Sequence, residues 1–331
     1  MRLDAEIALA HRLADAARET IRPLFRSPLG NERKADRTPV TEADRAAEEA
    51  MRRLIKAEFP RDAIHGEEFG AETGSSGRTW VLDPIDGTAG FLAGRPMFGT
   101  LIALVVEGWP VLGIIDQPIL KERWVGVSGR PTTLNGKPVR SRACRTLADA
   151  TLATTGPHYF DDHDGGHFMG LAARTDHRRM VMGGDCYNYA MLSSGHLDVV
   201  CEAGLKLHDW AALVPVVEGS GGTMCDWNGD PLHAGSDGHV LALGDPARLR
   251  RDASFALPKL RERIGQRNGF LLERFESFEA ECLTIGVEQF LGVLGGIYDQ
   301  LPTFIGDRYD RSAPVVRIRI APDQPAVGHF L

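Results

Sequence analysis

The chain has 331 residues, 43% of them hydrophobic and 25% charged, with 38 basic against 45 acidic side chains and a formal net charge of −7. That length accommodates about two domains and a large buried core. The acidic balance excludes a general nucleic-acid binder and suits a site that concentrates divalent cations, whose charge would reverse the local field for an anionic ligand.

The cysteines Cys144, Cys186, Cys201, Cys225 and Cys282 are scattered, with no Cys-x-x-Cys pair. This usage points to reduced thiols at buried positions in a cytoplasmic protein. The N-terminal stretch Met-Arg-Leu-Asp-Ala-Glu lacks an apolar signal core. The most apolar run, Met97 to Ile115, is interrupted by Glu107-Gly-Trp-Pro110 and reads as strand, turn, strand rather than as a membrane span.

Taken in order, Leu3, Ile7, Ala10, Leu13, Ala17 and Ile21 recur at helical spacing and stop before Pro23. A polar stretch leads to Thr41-Glu-Ala-Asp44, which has a capping-box composition, and Ala47, Met51, Leu54 and Ile55 continue one helical face ahead of Pro60. Ala63-Ile-His65 is a short strand running into Gly66-Glu-Glu-Phe-Gly70, and Trp80 to Leu82 is another. Paired strands are expected near 98–106 and 111–117, with a turn at Asn135-Gly136. A second segment begins near Cys144. It holds a strand around Thr151, a polar loop from Pro157 to Gly166, a helix from Asp185 to Ser194 and a strand from Leu197 to Cys201. A helix from Asp209 to Glu218 is expected to kink at Pro215, and Asp226-Trp-Asn-Gly-Asp-Pro231 reads as a turn. From Ala253 onward, Leu271, Phe275, Phe278 and Cys282 fit an amphipathic helix, weakened by Gly286, Gly292, Gly295 and Gly296, and Val315 to Ile320 alternates like a strand.

The most informative stretch is Asp83-Pro-Ile-Asp-Gly-Thr88. A strand delivers two carboxylates, Asp83 and Asp86, into one turn, where they repel each other unless a cation neutralises them, so oxygen-ligated Mg²⁺ is the economical reading. Thr88 stands where a helix begins, a natural seat for a phosphate beside a hard cation. Taken alone, the same run also composes an ordinary surface turn. Glu67 after a glycine and Asp209 at a helix start are common structural positions too, but with Asp83 and Asp86 they supply four carboxylates for two or three Mg²⁺ ions.

Gly66-Glu-Glu68, Trp80-Val-Leu-Asp-Pro-Ile-Asp-Gly-Thr88, Asp209-x-Ala-Ala-x5-Glu-x2-Gly-Gly222 and Lys34-x-Asp-x-Thr-Pro-Val-Thr-x-Ala-Asp44 resemble the inositol monophosphatase superfamily of Mg²⁺-dependent phosphomonoesterases. The resemblance covers residues 1–252 and implies an α+β fold, the layered αβαβα sandwich. It divides the chain into an N-terminal α+β part over 1–143, a C-terminal α/β part over 144–252, and a partly helical extension over 253–331 of no assigned role. It also implies that Glu67, Asp83, Asp86, Asp209 and the Ile85 carbonyl hold the metal, that Asp44 and Thr88 orient the attacking water with Glu67, and that Gly87 and Thr88 offer N–H groups to the phosphate. Asp44 can cap its own helix and still accept a bond from Thr88. The implied chemistry is direct in-line attack by metal-activated water, with no phosphoenzyme, and the implied assembly is a homodimer. One departure is Gly90, where family members carry Asn or Ser.

Gly94-Arg-Pro-Met-Phe-Gly-Thr-Leu-Ile-Ala-Leu104, Gly183-Gly-Asp-Cys-Tyr187 and Glu202-Ala-Gly-Leu-Lys206 look like the histidinol-phosphate phosphatases of that superfamily, which act in histidine biosynthesis. Asp185 and Glu202 then serve as acceptors for the ammonium and imidazole of the substrate, beside Asp86; Asp185 is also a helix N-cap candidate. Lys206 is the basic residue expected near this pocket. Phosphatases for inositol 1-phosphate or a broad range of monoesters share the same motifs, and a non-catalytic ligand sensor is a third reading. His208 stands where relatives more often carry an aromatic; it can pack as one, line the pocket or contact a metal ligand from outside, and packing is the favoured reading. His158, His163 and His167 with Asp161, Asp162 and Asp164 offer a zinc reading, but Gly165-Gly166 is expected to break the helix that would align His163 with His167, which favours a flexible polar loop.

Overall fold

The computed structural model describes residues 3–27, 32–33, 39–40 and 42–247. Thr41, Cys282 and everything expected of the tail from Ala253 lie outside them. Helix α1 (Asp4–Ile21) and helix α2 (Glu42–Glu58) lie side by side, and a two-stranded ribbon joins β1 (Glu32–Arg33) to β2 (Pro39–Val40).

The first large sheet has eight strands. They are β3 (Ala63–Gly66), β4 (Gly70–Glu72), β5 (Arg78–Asp86), β6 (Gly99–Val106), β7 (Trp109–Gln117), β8 (Glu122–Val127), β9 (Arg130–Leu134) and β10 (Lys137–Pro138). Their spatial order is β10-β9-β8-β7-β6-β5-β3-β4, antiparallel except for the β3–β5 pair. The second sheet contains β11 (Leu152–Thr154), β12 (Val181–Met182), β13 (Val199–Glu202), β14 (Thr223–Cys225) and β15 (Val240–Leu243), in the order β12-β11-β13-β15-β14.

Alternation along the strands sorts the core into layers. Trp80, Leu82, Ile102, Leu104, Leu112 and Ile114 face α1 and α2, whose Leu9, Leu13, Ala17, Ala47, Met51 and Ile55 are buried against them. The alternate residues Val81, Leu101, Ala103, Val105 and Ile115 face a middle layer formed by α5 (Cys186–Ser193), α6 (Leu207–Trp210) and α7 (Leu213–Gly219). That layer also receives Val200, Val240 and Ala242 from one face of the second sheet. The other face, Leu152, Val199, Cys201, Leu241 and Leu243, is covered by Phe168, Leu171 and Ala172 of α4 (Asp162–Ala172). The result is the layered αβαβα sandwich. At the middle layer a Cβ on Gly113 of β7 would collide with the carbonyl oxygen of Ala212, so glycine sets how closely α7 approaches the first sheet.

Three local expectations are corrected. Helix α4 runs unbroken through Gly165 and Gly166, because Phe168, Leu171 and Ala172 anchor it on the sheet and outweigh the glycines' poor helix propensity. The helix expected from Asp209 to Glu218 is two helices, broken at Ala211–Ala212. Pro215 then falls in the first turn of α7, where its missing N–H breaks no helical bond, and it makes no kink. Asp209 stands at the third position of α6 rather than at its start, and its carboxylate accepts the backbone N–H of Lys206 at 2.6 Å. Cys144, Cys186, Cys201 and Cys225 are buried.

Candidate metal centre and active site

Strand β5 carries both Asp83 and Asp86. Its register with β6 slips between them, which takes the chain out of the ladder just where the two acids and Ile85 lie. Gly87 ends the strand at φ 89°, and a Cβ there would stand 3.0 Å from the Asp185 carboxyl and from the Met97 carbonyl oxygen. Glycine is therefore required both for the turn and for the approach of Asp185. Helix α3 (Thr88–Leu92) follows at once, and the Thr88 hydroxyl donates to the Ile85 carbonyl at 3.1 Å rather than to Asp44. At Gly90 a Cβ would meet the Met97 carbonyl oxygen at 2.7 Å, so the glycine goes with a close return of the 95–97 segment across α3.

The acids fall into two groups. Carboxylate oxygens of Asp83 and Asp209 and a ring nitrogen of His208 lie within 4.8 Å of one another, as do carboxylate oxygens of Asp44, Glu67 and Glu68. The two groups act on each other: burial first, then the charges of Glu67, Asp86, Asp209 and Asp44, push the Asp83 carboxyl well above the usual carboxylate range. Burial followed by Asp185 and Asp209 does the same to Asp86, which accepts the backbone N–H of Cys186 at 2.6 Å. Asp83 is 2% exposed, and its Oδ1 is buried without a hydrogen-bond partner among the described residues. A buried orphan acceptor among acids that force protons onto one another fits a hard divalent cation, which would replace those protons. Of the expected ligands, Asp83 and Asp209 come together with His208, and Glu67 with Asp44 and Glu68, while Asp86 falls in neither group.

The loop bearing Glu67 and Glu68 is held from below by the buried Glu48 of α2. Its oxygens accept the N–H groups of Glu68 at 2.7 Å and Phe69 at 3.2 Å, and also Arg52 Nε at 2.7 Å. Arg52 in turn donates to the Gly70 carbonyl. His208 packs as expected, its ring stacked on His65 at 5.9 Å and 27°, but it also reaches the acids, with Nε2 3.4 Å from Asp209 Oδ1.

Asp185 and Glu202 adjoin this cluster. Asp185 occupies the N-cap position of α5 at φ 47° and makes no capping bond with its side chain, so the capping alternative is corrected. Its carboxyl is raised to about 6 by burial, eased by the Gly184 N–H, raised further by Asp209 and lowered by Arg95. Glu202, 2% exposed, accepts Thr155 N–H at 2.6 Å and Thr154 Oγ1 at 3.1 Å, and burial still raises it to about 7. The phenol of Tyr159 is raised by burial and then by Asp185, Asp86 and Glu202, although the residue is 56% exposed. Tyr189 OH is buried without a partner among the described residues, under the influence of Glu202.

Sequence reasoning missed Arg95, Glu68 and Tyr159 and gave His208 too small a part. Arg95 lies inside a family string of the sequence, and its charge is the available signal, whereas the local pattern points to Lys206 as the basic neighbour.

The model of the inositol monophosphatase family matches residues 3–257, and the chain belongs to that family. It is 49% identical over 229 residues to the bifunctional phosphatase IMPL2, chloroplastic, of Arabidopsis thaliana, covering 69% of this chain and 66% of the relative, just under two thirds of its length. It is 37% identical over 238 residues to a histidinol-phosphatase of Chlorobaculum parvum, covering 72% of this chain and 92% of the relative. Among solved structures, an inositol monophosphatase from Zymomonas mobilis superposes with a TM-score of 0.71 at 51% identity, covering 77% of this chain and 99% of the other. No helix among the described residues is long and apolar enough to cross a membrane.

Proposed function

We propose that this chain is a Mg²⁺-dependent phosphomonoesterase that hydrolyses L-histidinol phosphate to L-histidinol and inorganic phosphate, in histidine biosynthesis, as a cytoplasmic homodimer. The observation that carries the proposal is the presence of two further acids, Asp185 and Glu202, beside the metal-side cluster, with carboxyls at about 6 and about 7. An unperturbed imidazole titrates in that same range. A substrate bringing an ammonium and an imidazole would draw both acids into the ionised form and be held by charge-assisted hydrogen bonds. The exposed Tyr159 offers an aromatic face for the imidazole.

Mg²⁺ bound by Glu67, Asp83, Asp86, Asp209 and the Ile85 carbonyl would neutralise the acids and acidify a water. Glu67 accepts a proton of the attacking water and aims its oxygen at phosphorus. The Thr88 hydroxyl, which donates to Ile85, keeps lone pairs free to accept a hydrogen bond from the O–H that the attacking water retains, and Asp44 supports this end of the site. The N–H groups of Gly87 and Thr88 receive the phosphate oxygens. Attack forms the new P–O bond as the bond to the alcohol oxygen breaks, and that oxygen leaves with a proton from water.

A second reading, inositol 1-phosphate or a broad range of monoesters, is favoured by Arg95, which offsets Asp185 and makes the pocket less acidic. Phosphate release from L-histidinol phosphate and inositol 1-phosphate, compared as kcat/KM with and without Mg²⁺, decides between them. A preference for inositol phosphate would overturn the role given to Asp185 and Glu202.

A further inference from the structure

We propose that His208 contributes a nitrogen donor to the metal centre, so that the position it shares with Asp83 and Asp209 takes a transition cation, Mn²⁺ or Zn²⁺, in preference to Mg²⁺. This rests on the metal-dependent phosphatase reading and deepens it, because the ligands expected there are all oxygens.

Three donor atoms no more than 4.8 Å apart share a point within about 2.8 Å of each, and closure by less than an ångström brings all three to ordinary bond lengths of about 2.0–2.2 Å. Asp83 contributes a buried, unpartnered oxygen. The His208 ring is fixed from two sides: its backbone lies in α6, directly before Asp209, and one face stacks on His65. A ring held this way reaches the acids without the entropy cost of recruiting a mobile side chain.

The other group, Asp44, Glu67 and Glu68, offers only carboxylates. Hard oxygen ligands suit Mg²⁺, whereas an imidazole shifts preference along the divalent series toward Mn²⁺ and, more strongly, Zn²⁺. The site is therefore asymmetric, with an all-oxygen position and a mixed nitrogen–oxygen position. Where relatives carry an aromatic at position 208, the second position lacks that donor.

The test is to load the full chain with Mn²⁺, measure binding by calorimetry, and record pulsed EPR for ¹⁴N coupling to the metal. The expected result is ¹⁴N modulation of a directly coordinated imidazole in the wild-type protein and its loss in His208→Phe, which keeps a ring against His65. Affinity for Mn²⁺ should fall at least about tenfold in that variant while affinity for Mg²⁺ stays within about twofold. His208→Gln, which keeps a polar group of similar reach, should lose the ¹⁴N signal as well. Stoichiometric Mn²⁺ binding without ¹⁴N modulation, or modulation that persists in both variants, would overturn the proposal and leave the phosphatase reading standing. Absence of any stoichiometric binding of Mn²⁺ or Mg²⁺ would overturn both.

Discussion

The Asp86 carboxylate accepts the backbone N–H of Cys186 at 2.6 Å, so an acid on the first sheet caps a helix of the middle layer. The bond ties the metal-side acids to Asp185, the residue next to Cys186, and fixes the two halves of the site to each other. Asp86→Asn keeps an acceptor for Cys186 but loses the charge. It should remain as stable as the wild type without metal, while phosphate release falls at least about 100-fold. Asp86→Ala should lose the cap as well, at a further cost of about 1 kcal/mol. Urea denaturation and steady-state kinetics on the two variants separate these effects.

Glu202 gives a pH dependence of definite sign. Its carboxyl is at about 7 in the folded chain against an ordinary 4.5, so between those values the folded state holds a proton that the unfolded chain has released. Stability therefore falls as pH rises through this window and levels off above it, by at most about 3 kcal/mol from this group. Asp185, Asp83 and Asp86 act in the same direction, Tyr189 and Cys201 stay neutral in this range, and the bonds from Thr154 and Thr155 oppose the shift. The metal-free protein should lose stability from about pH 5 to about pH 8 in urea denaturation, and Glu202→Gln should flatten the curve. An equal slope in the variant would remove Glu202 as its source.

Glu48 positions the Glu67–Glu68 loop without reaching the centre itself. Glu48→Ala removes the nearer carboxylate of Arg52, which keeps Glu72 at 3.6 Å, and leaves two loop N–H groups without their acceptor, at a cost of about 1–3 kcal/mol. Glu48→Gln keeps a carbonyl acceptor and should recover part of that stability while binding metal more weakly than the wild type. Denaturation and metal titration of both variants check this, and unchanged metal affinity in both would contradict it.

Gly113→Ala should destabilise the chain by about 1–3 kcal/mol, because the added methyl meets the Ala212 carbonyl and pushes α7 off the sheet. Asp209 lies three residues before Ala212, so metal affinity should fall with stability. Thermal denaturation with and without Mg²⁺ measures both.

The strands and acids nearest the centre were legible because their signals are local: Asp83-Pro-Ile-Asp-Gly-Thr88 ends an apolar strand, and Gly66-Glu-Glu68 ends another. Asp185 and Glu202 were found through their strings, but their raised carboxyls come from burial and from acids distant in sequence. Arg95 reaches Asp185 across 90 positions, by a return of the chain over α3 that no local pattern encodes. The unbroken α4 was missed because the packing of Phe168 and Leu171 decides there, and packing is a property of the sheet beneath. The break between α6 and α7 falls at two alanines, residues with no helix-stopping signal.

The central claim is that acids far apart in sequence act together around a metal to release phosphate. Its most direct test is phosphate release from L-histidinol phosphate by wild-type protein and by Asp83→Asn, each assayed with Mg²⁺ and after chelation. The expected result is turnover by the wild type with Mg²⁺ alone, and a loss of at least about 100-fold both on chelation and in the variant. Turnover that survives chelation, or that Asp83→Asn leaves unchanged, would contradict it.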